Sequence, residues 1–390
     1  MILNVSYNND VNLAKEIPVS EDVQVNLVGA ANQDIVGSDR PVFLLKKTND
    51  KELEQAVEIC NKRSVGFIYA LDGTCTGNRE FTRKWQKQFK RRLTYLHKIG
   101  IQQFRFSNPY LLQRARHILG DKVQLHVSRN ALIDSPKRAL YWQEMKADSI
   151  TVNFFLNRNF NVLQSIAKTV DVPINLTLNA PCILGCPFEN YHGMEASHSS
   201  SSFDTKGNFL LDYCALKCVD IKFSRTKELL KIPFIRPEDL KVYEDMGISS
   251  FEIMDRKKST EWLVKVTNVY LNRSFRGNMM DLLPNPMLKE ADSYTTKPRM
   301  KYFIKPWHIN VSKLKRFKDI SLTQVEIPND KLDGFIDFFK ENDCDSLKCS
   351  ECKYCEDKFE NIGKAQLEEN QKSVENIRAL ISDLETGAMY

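Results

Sequence analysis

A chain of 390 residues with 42% hydrophobic and 27% charged residues carries enough apolar material for a deep core, and fits neither disordered, collagenous nor membrane-spanning compositions. No window approaches the roughly 18 uninterrupted apolar residues of a membrane span. The start, MILNVSYNNDVNLAKE, lacks the basic stretch and apolar run of a secretory signal, so a cytoplasmic location is expected. The net charge of +6, spread over so long a chain, permits an anionic partner without implying one.

Eight short runs rich in β-formers recur through the first two thirds, at residues 2–5, 23–29, 66–71, 103–106, 124–127, 149–153, 174–178 and 251–253. Segments with helical spacing lie between them, at 53–63, 80–99, 110–119, 136–145, 162–169 and 237–246. Strand, helix, strand at this spacing means right-handed crossovers and a parallel sheet. Eight such units close most naturally into a TIM-like (β/α)8 barrel over residues 1–283, although the link between the first two strands is short. A doubly wound open sheet is the runner-up, but no glycine-rich dinucleotide fingerprint follows an early strand.

One interval breaks the rhythm: residues 179–248 read as an insertion after strand seven that carries four cysteines. Within it the polar run 197–204 reads as a loop, and a further strand is possible at 219–223. In a barrel the segment after a strand lies on the C-terminal face, where active sites are built. After Gly277 the periodicity weakens, with prolines at 284, 286, 298 and 306, and residues 284–390 read as a smaller C-terminal module. Its end, 364–384, alternates charges and reads as a solvated terminal helix.

Eight of the ten cysteines fall into two tetrads. A core this large needs no covalent staples and no export signal is seen, so clustered thiols point to metal rather than to disulfides. The first tetrad is Cys182-x3-Cys186 with Cys214-x3-Cys218, in the contexts NAPCILGCP and LDYCALKC. Two such pairs can supply four thiolates to one centre, a four-iron cluster first, with structural zinc, unliganded thiols or a redox disulfide as alternatives. A radical S-adenosylmethionine site is disfavoured, because its third cysteine would fall at Glu189. The second tetrad, Cys344-x4-Cys349-x2-Cys352-x2-Cys355, resembles ferredoxin-type loops more than a zinc ribbon, so a second 4Fe-4S cluster or zinc is expected there, with a purely structural knot as the plainer reading.

Other groups fall near the expected active face. Cys60 sits in a helical pattern and reads as core, whereas Cys75 follows the third strand in LDGTCTGN. His192 and His198 read as lying in a glycine- and serine-bearing loop after Cys182, suited to proton donation or simply solvated. His126, on the fifth strand, reads as a satisfied core histidine or a cap on the lumen. Arg236 opens the segment FIRPEDL; Glu238 and Asp239 are explained as helix-start chemistry, while Arg236 can hold a carboxylate. Asp255 and Arg256 follow the last strand. The basic residues Lys84, Lys87, Lys90, Arg91 and Arg92 stand beside Phe81, Trp85 and Phe89, a stretch suited to RNA phosphates and equally to the outer face of an amphipathic helix.

The runs NAPCILGCPFENYHG, FIRPEDLKVYEDMGISSFEIMDR and RGNMMDLL together resemble the collagenase-like peptidase family U-thirty-two over most of the chain. Despite its name, that family is associated with oxygen-independent hydroxylation in ubiquinone synthesis and on tRNA and ribosomal RNA. The resemblance implies a barrel holding a four-iron cluster, with prephenate as the oxygen source, and would make Cys182, Cys186, Cys214 and Cys218 the ligands. The chain departs from the family pattern at Glu189, where an arginine is expected soon after Cys-Pro. The expected function is therefore an iron–sulfur enzyme acting on a small metabolite or an RNA base, with Cys75, His192, His198 and Arg236 around the substrate. The alternatives are a peptidase, or a noncatalytic metal-stabilised partner subunit of another, homologous chain.

Overall fold

A computed structural model describes residues 1–38, 45–202, 212–284 and 309–390. Its strands are β1 (Ile2–Ser6), β2 (Gln24–Gly29), β3 (Gly66–Leu71), β4 (Gln103–Phe106), β5 (Gln124–Val127), β6 (Ser149–Thr151), β7 (Ile174–Thr177) and β8 (Ser250–Ile253). Each pairs in parallel with the next, and Ile2–Val5 of β1 also pair with Ser250–Ile253 of β8, which closes the sheet. All eight expected strands are present, and closure excludes the open-sheet alternative. Near-continuous burial along β1, β3 and β8 follows from covering by helices outside and side chains inside.

The helices between strands are α1 (Val11–Glu16), α2 (Asp50–Lys62), α3 (Arg83–Lys98), α4 (Pro109–Leu119), α5 (Pro136–Glu144) and α6 (Phe160–Thr169). Their starts follow from local chemistry: Asn49 and Glu52 form a reciprocal capping box on α2, and Asn108 caps α4 just ahead of Pro109. The short α1 is the brief link between the first two strands. In α3, Trp85, Phe89, Leu93 and Leu96 make one buried stripe while Lys84, Lys87, Lys90 and Arg91 face outward.

After β7 come α7 (Glu189–Ser200), α8 (Tyr213–Ser224) and α9 (Leu240–Glu244), with α10 (Thr260–Leu271) after β8. Two expectations are corrected here. Residues 219–223 are helical, not a strand: Val219 and Phe223 are four apart and share the buried side of α8. Residues 197–200 finish α7 rather than forming a loop; positions 203 and 204, like the prolines at 286, 298 and 306, lie outside the described residues.

The lumen is polar and largely hydrogen-bonded. Asn26 donates to Asn4 (2.8 Å), Asn4 to Asn175 (2.9 Å) and Asn175 to Glu252 (3.3 Å). Arg105 then bridges Glu252 (2.8 Å) and Asp72 (3.1 Å), and Ser128 also donates to Asp72 (3.0 Å). A buried chain whose members satisfy one another fixes strand register as firmly as apolar packing does.

The C-terminal part adds α11 (Asp337–Glu341), α12 (Cys349–Cys352), α13 (Tyr354–Ile362) and α14 (Leu367–Glu385). Val325, Ile327, Leu332, Phe335 and Phe359 join the apolar core of the barrel. A second cluster places Leu216, Val219 and Phe223 of α8 with Val374, Ile377, Leu380 and Ile381 of α14, so the terminal helix is solvated on one side only. No helix among the described residues is long and apolar enough to cross a membrane.

Candidate metal centre

The strands deliver polar groups to their carboxyl ends. Asn179, just past β7 and fully buried, donates to the carbonyls of Met254 (2.6 Å) and Leu282 (3.0 Å) and accepts from the Met254 N–H (2.7 Å). That clamp fixes where the chain leaves the barrel, three residues before Cys182. Gly185 takes the left-handed conformation (φ 66°) between the cysteines of the first pair, and the Cys186 N–H turns back to the Ile183 carbonyl at 3.1 Å. The second pair is carried by α8, whose N-cap Asp212 accepts from the Ala215 N–H at 2.7 Å. Cys214, Cys218 and Lys222 follow at intervals of four and share one helix face.

These thiols are electrostatic neighbours. Cys182 feels Cys218, Lys222, Arg129 and Cys186, Cys186 feels Cys218 and Lys222, and Cys214 feels Cys186. Burial pushes Cys182 up to about 12; burial followed by the charges of Glu195 and Asp212 does the same to Cys214, and burial raises Cys186. Left alone they stay protonated at neutral pH, so they act as thiolates only where a metal replaces the protons. Lys222 is 1% exposed and its Nζ has no hydrogen-bond partner among the described residues. A buried ammonium without an acceptor is costly; an anionic, thiolate-ligated group beside it would supply the missing charge. The donor chemistry, four thiols beside a buried cation, fits a tetrathiolate centre, but the four sulfurs are not drawn into one compact group: no three of them lie within 4.8 Å of one another. Cys214 also has acidic company: its Sγ lies 3.9 Å from Glu195, and Glu195, Asp212 and Cys214 place three ligand atoms within 4.8 Å of one another.

The other expected residues divide. His192 and His198 both stand on α7, not in a loop, and His192 Nε2 lies 3.1 Å from Asp212 beside the α8 cap. Cys75 is half-buried; its loop docks on α7 through the Thr74 N–H and Ser197 Oγ at 3.0 Å. Arg236 is corrected: its guanidinium is buried and spent on Asn329 (2.9 Å), the Leu332 carbonyl (2.6 Å) and Asp333 (2.6 Å), so it clamps the C-terminal segment instead of facing a substrate. Arg256 likewise donates to the Ala30 carbonyl (2.6 Å) and the Tyr7 carbonyl (3.3 Å) at the ends of β1 and β2. His126 is held by Ser149 (2.6 Å) and Gln103 (3.0 Å), and burial lowers it to about 4, which keeps it neutral. Cys60 is buried in α2 and pushed up to about 12. In the basic stretch, Trp85 and Phe89 are buried and Arg92 is bound to Asp34 and Asp50, which leaves exposed lysines without those two aromatic platforms. Cys344, Cys349, Cys352 and Cys355 line one small pocket together with Lys231 and Phe338.

Sequence reasoning missed Lys222 and the Asp72–Arg105–Glu252 chain. The spacing Cys-x3-Cys-x3-Lys was the available signal for the first, and charged residues inside otherwise apolar strands for the second.

No family model matches the chain. It is 28% identical over 358 residues, covering 92% of this chain and 95% of the relative, to an "uncharacterized protease" of Methanocaldococcus jannaschii. Among solved structures it is similar to a U-thirty-two peptidase (21% identity, 51% of this chain and 76% of that one, TM-score 0.43) and to a structure described as native KDPGal (8% identity, 70% and 93%, TM-score 0.37).

Proposed function

The chain resembles the U-thirty-two peptidase family, and from that premise we propose that it is an iron–sulfur enzyme of the oxygen-independent hydroxylase kind, acting on a small metabolite or an RNA base. The observation that carries this reading is the orphaned Lys222 ammonium buried beside Cys182, Cys186 and Cys218. In it the four cysteines of the first tetrad hold a 4Fe-4S cluster, which supplies one-electron chemistry at the barrel mouth. Hydroxylation converts C–H to C–OH, and the oxygen atom with its oxidising equivalents comes from a co-substrate; the resemblance points to prephenate. His192, oriented by Asp212 at 3.1 Å, is the group we assign to proton delivery. His198 and Cys75, on segments that touch each other, complete the surroundings of the substrate. Asn179 and the Asp72–Arg105–Glu252 chain hold the floor of the site rigid.

A second reading, peptidase activity, is favoured by the name of the archaeal relative. If its nucleophile were a cysteine, metal at both tetrads would leave only Cys60 and Cys75, and the buried Cys60 thiol, pushed up to about 12, is not an activated one.

The test is metal content after anaerobic purification. Broad visible absorption that dithionite bleaches, with about four irons lost in C182S/C186S, is the expected result. A chain that carries no iron overturns the cluster reading, and peptide hydrolysis that survives in C182S/C186S would put the peptidase reading in its place.

A further inference from the structure

The tail cysteines line one pocket although they come from separate short elements, and no three of their sulfurs lie within 4.8 Å of one another. One turn of helix, α12, sets Cys349 and Cys352 at its two ends; Lys353 takes a left-handed conformation (φ 53°), and α13 starts at once and brings in Cys355. Cys344 comes from the preceding turn, and all four line the same pocket. Its wall is stiff: the Tyr354 ring stacks on Phe338 at 4.0 Å between centroids, and the Tyr354 hydroxyl donates to the Phe335 carbonyl at 3.2 Å.

One ring behind this pocket on the barrel side is Arg158, at the end of the 3-10 turn Phe154–Arg158 that follows β6: its guanidinium lies over Phe335, whose ring stacks on Tyr354 of the pocket wall. Its guanidinium lies among the rings of Phe234 (4.7 Å), Phe339 (4.8 Å) and Phe335 (5.1 Å), and is 9% exposed. Nη1 donates to the Leu230 carbonyl at 2.7 Å, whereas Nη2 is buried with no hydrogen-bond partner among the described residues. Cys355 and Cys344 stand first and third among the groups that act on it electrostatically, and both favour its charge. The nearby Lys231 is already neutralised by Glu228 (2.8 Å) and Glu356 (3.3 Å). Asp239 is the carboxylate that acts on Arg158, and four neutral thiols add nothing to it. A zinc ion with four thiolates, or a 4Fe-4S cluster in its oxidised state with four thiolates, carries two negative charges and does add to it.

We propose that Cys344, Cys349, Cys352 and Cys355 hold a second metal centre, tetrathiolate zinc or an iron–sulfur cluster, and that Arg158, one ring behind the pocket wall, is the positioning cation that balances it. Four thiols lose four protons as the metal enters, the cluster taking sulfide as well, and binding itself transfers no electrons. The centre joins a tail loop to a cation of the β6 turn, so it pins the C-terminal part to the barrel. None of this depends on what occupies the barrel tetrad.

The test uses the full chain purified anaerobically, with iron, sulfide and zinc quantified in the wild type, C349S/C352S, C182S/C186S and R158M. One zinc, or about four irons, should disappear in C349S/C352S and persist in C182S/C186S. R158M should keep its fold by circular dichroism but bind that metal roughly 10- to 100-fold more weakly against a competing chelator, with R158K recovering part of the loss. A wild-type metal content unchanged by C349S/C352S overturns the proposal and leaves the barrel reading untouched. Thiol alkylation covers the case in which the double variant does not fold: Cys349 is exposed and should be protected in the metal-loaded wild type and become reactive after chelation. Equal reactivity before and after chelation overturns the proposal.

Discussion

Lys222 is the side chain on which the proposed cluster rests. Its ammonium sits at 1% exposure without an acceptor, on the helix face that also carries Cys214 and Cys218. In the metal-free chain K222M removes an unsatisfied buried charge and should raise stability by about 1–3 kcal/mol, measured by denaturant unfolding under chelation. If the first tetrad holds the proposed cluster the sign reverses for the centre: loss of a nearby cation should lower its reduction potential and its retention of iron. Unchanged potential and iron content in K222M would separate Lys222 from the tetrad. Arg158 is the same kind of residue at the second tetrad, and neither could be picked from the sequence, because orphaning is a property of surroundings rather than of residue type.

At the level of elements, α8 depends on its first residue. Asp212 caps the helix through Ala215 and faces His192 at 3.1 Å. D212A should cost about 1 kcal/mol in unfolding measurements, whereas D212N keeps a good cap and should cost much less. If His192 delivers the proton, D212N should still depress turnover and shift its pH profile. The eight barrel strands were legible because parallel strands buried on both faces leave short, continuous apolar runs bounded by turns. The segment 219–223 was not, since a short apolar run of β-formers has no period long enough to separate strand from helix; burial against α14 decided it. The same limit hid the inner face of the terminal helix, whose alternating charges dominate the pattern. The cysteine pairs were readable from spacing, but the placement of His192 and His198 on α7 was not, because the stretch from Glu189 to Ser200 has no apolar stripe.

For the whole molecule, Arg236 is the joint between barrel and tail. It is buried at 2% exposure and gives three hydrogen bonds to Asn329, Leu332 and Asp333. R236M should destabilise the fold by about 2–3 kcal/mol, because acceptors are left without a donor. Limited proteolysis should then cut the C-terminal segment earlier than in the wild type. R236K should not restore resistance, since an ammonium cannot reproduce a planar fork with three separate partners. An expectation of substrate binding failed here for a physical reason: a sequence shows an arginine near a helix start but not which of its neighbours have acceptors to spare.

The pairing of β1 with β8 sets a timetable for biosynthesis. On a ribosome adding roughly 5–20 residues per second, Ser250–Ile253 emerge on the order of 10–50 s after the residues 2–5 that they must meet. Throughout that interval the first strand lacks one of its two neighbours, and its outer edge stays open to any other extended chain. The cysteines of the barrel mouth leave the tunnel inside this window, while those of the tail leave it only after closure has become possible. The two tetrads, so alike in composition, therefore meet the cell in different states: one on a half-built cylinder, the other on a finished one.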